Sequence, residues 1–327
     1  MSTAMDTNLR AQLIDWRQKL ETSIDGSEDE TPLRHLLGEV NLTLERLGNG
    51  SYGVCETCHE EIEGEQLMED PLARYCLSCL TPDQLNALQM DIELAWQIQG
   101  ALLPKPNPSL CSWEIGYHYE AAGPVSGDFC DFMSQDDGDL LFLLGDVSGK
   151  GIAASVLMAH LHAIFRSLVT LNLPAGELVE KANRIFCDFT MSTYFATLVF
   201  GRASRDGLVE ICNAGHCPPL VVREGEVTPI EATGLPVGMF SRERYAVEKL
   251  QLAPGESLFL YTDGLSEARN RADVEYGADR LSQLIRERAR GLSSQDMIQA
   301  CREDLAAFQG GAQKTDDLTI MAIRRIV

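Results

Sequence analysis

Apolar residues recur at three- and four-residue intervals in two stretches near the start of the chain: Leu9, Leu13, Trp16, Leu20 and Ile24, then Leu33, Leu37, Val40, Leu44 and Leu47. That spacing lines one face of a helix, so residues 8–48 are predicted to form two helices. Between them, Gly26-Ser-Glu-Asp-Glu-Thr-Pro32 supplies an acidic break, an N-cap threonine and a proline suited to a first turn, and residues 1–48 therefore read as a helical hairpin. A third helix is predicted to start at Thr81-Pro82-Asp83 and to end before Pro104. Leu85, Leu88, Ile92, Ala95, Gln99 and Leu102 keep a heptad spacing along this linker helix, 81–103, which suits a seam between two copies of the chain, a homodimer. Leu94, Trp96, Ile98 and Leu103 are left to cover the domain that follows.

Beyond the prolines of residues 104–112 the period changes. Short runs with β-branched and aromatic residues occur at Leu140–Leu144, Thr193–Phe200, Leu208–Cys212, Leu220–Val222, Ser257–Tyr261 and Leu318–Ile323. Helical patterns lie between them at Ala153–Val169, Ala175–Phe189, Ala278–Arg290 and Ser294–Phe308. Strands interleaved with paired helices over residues 104–327 imply an α+β sandwich with helices outside two packed sheets.

Composition narrows the setting. The chain has 327 residues, long enough for two or three domains, and 45% hydrophobic with 23% charged residues is ordinary for a globular protein. Read residue by residue, no apolar run approaches the ~20 positions that span a bilayer, and Met1–Arg10 has no signal-peptide pattern, so a cytoplasmic protein without membrane contact is expected. A formal net charge of -22 with no basic patch opposes direct nucleic-acid binding.

Four of the ten cysteines form two CxxC pairs, Cys55/Cys58 and Cys76/Cys79. Two such pairs predict one structural Zn²⁺ in a finger over residues 49–80, since four thiolates close the tetrahedron and leave no position open for catalysis. His59 is surplus to the ligand set and reads as a solvated residue. The finger carries seven acidic side chains against the single basic Arg74 between residues 55 and 80, which argues against DNA contact. The remaining cysteines are scattered and read as small buried hydrophobes in a reducing compartment.

The chemistry is expected at four aspartates in turn-like settings beside apolar runs: Asp128 in Ser126-Gly-Asp-Phe129, Asp146 in Leu144-Gly-Asp-Val-Ser-Gly149, Asp263 in Tyr261-Thr-Asp-Gly264 and Asp316 in Thr315-Asp-Asp-Leu-Thr319. Glycine at a strand end lets backbone approach whatever the carboxylate binds. Hard oxygen donors gathered from distant segments suit Mg²⁺ or Mn²⁺. Asp131 and Asp317 are open as outer acceptors or adjacent ligands, whereas Asp136, Asp137 and Asp139 around Gly138 read as a solvated hairpin turn. His216 in Asn213-Ala-Gly-His-Cys-Pro-Pro219 reads as part of a turn between strands rather than as a catalytic base, and His160 and His162 as ordinary helix positions without a ligand partner.

Two resemblances follow from these residues. Residues 47–80, from Leu47-Gly-Asn-Gly-Ser-Tyr through Cys76-Leu-Ser-Cys79, resemble the zinc finger of the DksA/TraR family. Some of its members enter RNA polymerase through a coiled-coil hairpin, which makes polymerase contact a minor possibility for this short, differently tipped hairpin. From Ile98 to Val327 the chain resembles the SpoIIE/RsbU-type branch of the PPM metal-dependent serine/threonine phosphatases. The matching motifs occur in the family's order: Gln99–Pro104, Ser126–Asp131, Gly145–Gly151, Phe195–Leu198, Asn213–Pro219, Gly234–Gly238, Tyr261–Glu267 and Thr315–Thr319.

This resemblance implies a PPM-type α-β-β-α catalytic domain holding two Mn²⁺ or Mg²⁺ ions. Asp146 would bridge them, the Val147 carbonyl would ligate one, Asp263 and Asp316 would complete the second site, and Asp128 would act through water on the first. Two ions a few ångströms apart would activate a shared water against phosphorus. The implied substrate is phosphoserine or phosphothreonine on a regulatory protein of STAS type, with the zinc module and linker helix acting as a regulatory switch on the helix at 153–169. Lys150 stands where the branch often has histidine, and no phosphate-binding arginine lies near Asp128, so modest basal turnover is expected. The competing assignment is a non-catalytic adaptor that binds a phosphoprotein or the transcription machinery; retention of all four carboxylates favours turnover.

Overall fold

The computed structural model describes residues 3–24, 31–105, 112–135, 138–190, 193–223, 226–288, 291–312 and 314–327. Most of the acidic break at 25–30, the proline run from 106 and Asp136–Asp137 lie outside the described residues. The chain separates into two compact units, Met1–Met90 and Asp91–Val327.

In the first unit, α1 (Thr3–Ile24) packs on α2 (Thr31–Asn49), with Leu13, Ile24 and Val40 buried. Trp16 of the predicted stripe is instead exposed, because a two-helix pair has only one neighbour to cover a wide apolar face. The finger follows, with the short α3 (Gly64–Glu69) between its cysteine pairs and Ile62, Leu67 and Ala73 filling a small core beside Cys55 and Cys76. The buried Arg46, in the last turn of α2, donates to the carbonyls of Ser51 and Val54 and faces Glu56, tying the hairpin to the first knuckle.

Helix α4 (Pro82–Leu102) crosses the unit boundary, opening with Thr81 and Gln84 in reciprocal capping bonds. Its faces differ from expectation. Leu94, Trp96 and Ile98 are exposed rather than laid on the second unit. Gln99 is buried, with its side-chain amide bonded to both backbone groups of Ser126 at 2.7 and 3.0 Å, so it is a docking residue and not a seam position. Leu102 and Leu103 pack on the second unit's core.

The second unit is a four-layer sandwich. Strands β1 (Trp113–Glu120), β2 (Asp128–Ser134) and β3 (Leu140–Val147) lead into α5 (Gly151–Leu168) and α6 (Ala175–Phe189). Next come β4 (Ala196–Ala203), β5 (Leu208–Ala214), β6 (Leu220–Arg223), β7 (Glu226–Pro229), β8 (Glu248–Gln251) and β9 (Ser257–Tyr261). The chain closes with α7 (Asp263–Ser266), α8 (Ala278–Arg288), α9 (Ser294–Gln309) and β10 (Leu318–Arg325). One antiparallel sheet has the order β1-β10-β9-β6-β7 and the other β2-β3-β4-β5-β8.

Alternation along β3 explains the layering. Leu140, Phe142 and Leu144 enter the core between the sheets, while Leu141 and Leu143 meet α5 and α6 on the outer face. The other sheet does the same, with Leu258, Leu260, Met321 and Ile323 facing inward and Phe259, Ile320 and Ala322 facing α8 and α9. Burying each large apolar side chain contributes about 1.5–3 kcal/mol, so these three clusters account for most of the fold's driving force.

Helix α5 with its final turn, Gly151–Leu171, has the length and mean hydropathy of a membrane span, a pattern that interruption by Ser155, His160, His162 and Arg166 obscures in a residue-by-residue count. Here Ala154, Met158, Leu161 and Phe165 pack into the outer cluster, and the composition is that of a core helix.

Candidate active site and zinc centre

The strand register brings the first two aspartates together. Asp128 opens β2, Asp146 is the next-to-last residue of β3, and the two are directly paired. Both share the face of Cys130, Phe132, Phe142 and Leu144, so both carboxylates project between the sheets at one end of the sandwich. The opposite sheet supplies the rest. β9 ends at Tyr261, Asp263 begins α7, and Asp316 and Asp317 immediately precede β10, which pairs with β9 through Tyr261 and Ile320.

Hydrogen bonds close the sandwich at this end. Thr262 and Thr319 donate their hydroxyls to Asp128 Oδ2 at 2.8 and 2.6 Å, joining the buried carboxylate to the facing sheet. Asp317 spends both oxygens on backbone, accepting from Ala122 N at 2.7 Å and Gly127 N at 3.1 Å. It therefore braces the loop before Asp128. Asp316 accepts from Asp317 N through Oδ1, while its Oδ2 lies 3.0 Å from Lys150 Nζ.

Two glycines permit these approaches. A Cβ on Gly127 would stand 2.7 Å from the Val147 carbonyl oxygen and 3.2 Å from Asp146 Oδ1, and one on Gly264 would overlap the Asp317 carbonyl. The Val147 carbonyl and the Asp146 carboxylate thus both lie against the bare backbone of Gly127.

Burial and mutual repulsion act together on these carboxylates. Burial and then the charges of Asp128, Asp263, Asp316 and Asp317 push Asp146 up to about 9. Burial, joined by Asp317, raises Asp128 to about 7 against the opposing hydroxyl bonds, and burial with Asp316 also raises Asp263. A multivalent cation would relieve that repulsion, and an all-oxygen donor set has the chemistry that suits Mg²⁺ or Mn²⁺, while among the described residues the four finger cysteines are the group that already converges tightly enough for an ion.

Asp131 belongs elsewhere. One residue out of phase with Asp128 and Cys130, it points to the outer face, where it accepts Arg166 Nε and Nη2 at 2.5 and 2.7 Å and meets His162 Nε2 at 3.0 Å. The fully buried carboxylate therefore clamps α5 to β2 through Arg166, with His162 Nε2 set against it. His160 stacks near Phe186 and Phe189.

His216 is a turn residue. Its backbone N–H donates to Asn213 Oδ1 at 2.8 Å, its Nδ1 lies 2.8 Å from Thr197 Oγ1, and burial lowers its pKa to about 4. Asn183 is another structural residue, fully buried on α6 and bonded to Gly238 N and Phe240 O, which holds the Gly234–Gly238 loop against that helix.

In the finger, the Sγ atoms of Cys55, Cys58, Cys76 and Cys79 lie within 4.8 Å of one another, with Cys58 and Cys76 3.7 Å apart. Thiolates about 2.3 Å from a tetrahedral Zn²⁺ stand about 3.8 Å from each other, so the four residues fit the ion. His59 is exposed in a left-handed turn. Arg74 forms a forked pair with Glu56, committing the finger's single basic side chain internally.

The stage II sporulation protein E (SpoIIE) family model matches residues 136–326, more than half of the chain. The chain belongs to the SpoIIE family. This SpoIIE-type PPM chain also carries the prokaryotic dksA/traR C4-type zinc finger over residues 50–84. It is 27% identical to protein IcfG of Synechocystis over 72% of its own length and 42% of the relative's. It is also 27% identical to phosphoserine phosphatase RsbU of Bacillus subtilis, over 73% of this chain and 71% of that one. Among solved structures, the SiaA-PP2C domain of Pseudomonas aeruginosa superposes with a TM-score of 0.65 at 20% identity, covering 73% of this chain and 97% of that one. The RsbU and RsbW domains of a Mycobacterium tuberculosis protein give 0.58 at 26% identity, covering 67% and 63%. The sandwich is thus a PP2C fold.

Within this SpoIIE-type site, sequence reasoning passed over Thr262, Thr319 and the Lys150 contact. The two threonines lie inside quoted motifs, beside Asp263 and after Asp317. Only the pairing of β9 with β10 reveals that both hydroxyls meet Asp128.

Proposed function

We propose that the chain is a protein serine/threonine phosphatase that hydrolyses phosphoserine or phosphothreonine on a regulatory protein of STAS type, with Asp128, Asp146, the Val147 carbonyl, Asp263 and Asp316 holding two Mn²⁺ or Mg²⁺ ions. The observation that carries this reading is the convergence of carboxylates from four separate segments at one end of the sandwich, raising the pKa of Asp146 through burial and mutual repulsion. Divalent ions there would supply charge neutralisation at the phosphoryl oxygens and acidify a nucleophilic water.

The chain's own residues do the positioning. Thr262 and Thr319 fix the Asp128 carboxylate, Asp317 holds the Gly127 loop, and the pairing of β2 with β3 sets Asp128 beside Asp146. Membership of the SpoIIE family and similarity to a phosphoserine phosphatase support the substrate class. The solved neighbour that joins RsbU and RsbW domains supports a partner within a regulatory cascade. The finger would bind one structural Zn²⁺ through Cys55, Cys58, Cys76 and Cys79 in a cytoplasmic homodimer whose seam is α4, where Leu85 and Leu88 are exposed.

The test is Mn²⁺-dependent release of phosphate from an aryl phosphate and from a phosphoserine STAS protein, by the full chain and by Asp146→Asn and Asp263→Asn. Metal-dependent turnover lost in both variants supports the reading. A folded, metal-binding chain without turnover on either substrate overturns it.

A further inference from the structure

We propose that Lys150 is the phosphoryl-binding cation of this site, resting on Asp316 until a divalent ion takes that carboxylate. The inference rests on the phosphatase reading above and names a residue for the substrate's charge within it.

The placement is specific. Lys150 lies between Gly149 and Gly151, both in left-handed backbone at φ 95° and 74°, immediately after the strand carrying Asp146 and Val147 and at the N-cap of α5. Its ammonium reaches across to the loop before β10, donating to the Thr315 carbonyl at 2.6 Å and standing 3.0 Å from Asp316 Oδ2. The side chain is 61% exposed, so it sits at the mouth of the carboxylate cluster and not within it.

The other lysine near the cluster is committed. Lys314 donates to the Glu120 carbonyl and lies 3.6 Å from the Glu120 carboxylate, on the β1 side of the loop. Among the described residues, Lys150 contacts the Thr315 carbonyl and the carboxylate that the reading assigns to a metal. A divalent ion on Asp316 repels an ammonium 3.0 Å from the same oxygen, and a flexible four-carbon stem on a two-glycine turn lets it move. Released from that carboxylate, the ammonium would be available to a phosphoryl group bound at the site. An ammonium is a point-charge phosphate binder that needs no fixed fork geometry.

The test uses the full chain, its Lys150→Met variant, which keeps the stem and removes the charge, and Lys150→Arg. Isothermal titration with Mn²⁺ and, on the Mn²⁺-loaded protein, with inorganic phosphate is read beside thermal denaturation. Lys150→Met is expected to keep the Mn²⁺ stoichiometry, to bind the weaker ion about threefold or more tightly, and to bind phosphate about tenfold more weakly, as loss of one charge-assisted contact predicts. Lys150→Arg should hold phosphate close to the wild-type affinity. Unchanged phosphate affinity in Lys150→Met, or Mn²⁺ affinity falling together with the melting temperature, overturns the proposal and makes Lys150 a structural tie between α5 and the Asp316 loop. Failure of the wild-type chain to take up Mn²⁺ overturns the two-metal reading itself, and the inference with it.

Discussion

Gly127→Ala isolates the close approach on which the proposed metal site depends. Gly127 does not occupy the left-handed region, so alanine meets no backbone penalty and the effect is collision alone. The new Cβ would stand 2.7 Å from the Val147 carbonyl oxygen, 3.2 Å from Asp146 Oδ1 and 3.5 Å from Ala154 Cβ. Because carbon and oxygen approach comfortably only to about 3.3 Å, the carbonyl or the loop must yield by roughly 0.6 Å. Neither is free to do so: Val147 N donates to Gly127 O at 3.2 Å, Ser148 N to Phe195 O at 2.9 Å, and Gly127 N to Asp317 Oδ2 at 3.1 Å.

Overpacking of this kind costs about 1–3 kcal/mol. Metal–ligand distances tolerate only about 0.2 Å, so the strain falls on the carbonyl and on Asp146. We expect Mn²⁺ affinity to fall about 10- to 100-fold, the equivalent of roughly 1.4–2.8 kcal/mol, and turnover at saturating metal to fall to a similar degree. Isothermal titration with Mn²⁺, aryl phosphate turnover across a Mn²⁺ series and thermal denaturation separate the site from global stability. Gly123→Ala is the control, since its Cβ meets nothing nearer than Val125 O at 3.7 Å. A Gly127→Ala protein with wild-type Mn²⁺ affinity and turnover would refute the placement of Val147 and Asp146 at the metal site.

Arg166→Met takes the forked pair from the buried Asp131 carboxylate, leaving it the Phe132 N–H and the adjacent His162, and is expected to cost about 1–3 kcal/mol, seen as a fall in melting temperature; a shift no larger than that of an exposed-arginine control contradicts the clamp. His216 titrates near 4 when folded and near 6.5 when unfolded, so the unfolded chain binds more protons between those values. Stability is full above pH 6.5 and falls by roughly 3 kcal/mol as pH drops through about 4, and denaturant titrations of His216→Asn should show a correspondingly shallower acid loss. Cys58→Ser should reduce bound zinc well below one equivalent, measured by elemental analysis, while leaving the melting of the Asp91–Val327 unit in place. Replacing Leu85 and Leu88 with lysine should shift sedimentation from dimer to monomer if α4 forms the seam; an unchanged dimer places the interface elsewhere.

What was legible in the chain was whatever depends on local period and residue chemistry. Alternating and contiguous apolar runs located β3, β4, β5, β6, β9 and β10, each with a strand partner on both sides. The short β7 and β8, each at a sheet edge, carry too few apolar residues to declare themselves. β1 carries the strand signal in Trp113, Ile115, Tyr117 and Tyr119 at period two and was passed over, while β2 contains Asp128 and Asp131, so acidic chemistry hid its strand character. The stripe on α4 misled because exposure depends on which neighbour meets the helix: Gln99 is buried by two hydrogen bonds to Ser126, while Trp96 stays exposed.

By itself the sequence determined the donor chemistry: four cysteines at CxxC spacing, and hard carboxylates beside glycines in an order that resembles one phosphatase branch. Spacing within a few residues is enough to specify a thiolate pair or a tight turn. Tertiary structure alone decided which carboxylates share a site. Asp128 and Asp131 are three residues apart yet face opposite sides of one strand, whereas Asp128 and Thr319 are 191 positions apart and joined by a hydrogen bond. Strand parity sends Asp131 out to Arg166 and His162, and the pairing of β9 with β10 brings Thr262 and Thr319 onto Asp128. The pleat fixes direction and the sheet register fixes neighbours, and neither is encoded in the distance between residues along the chain.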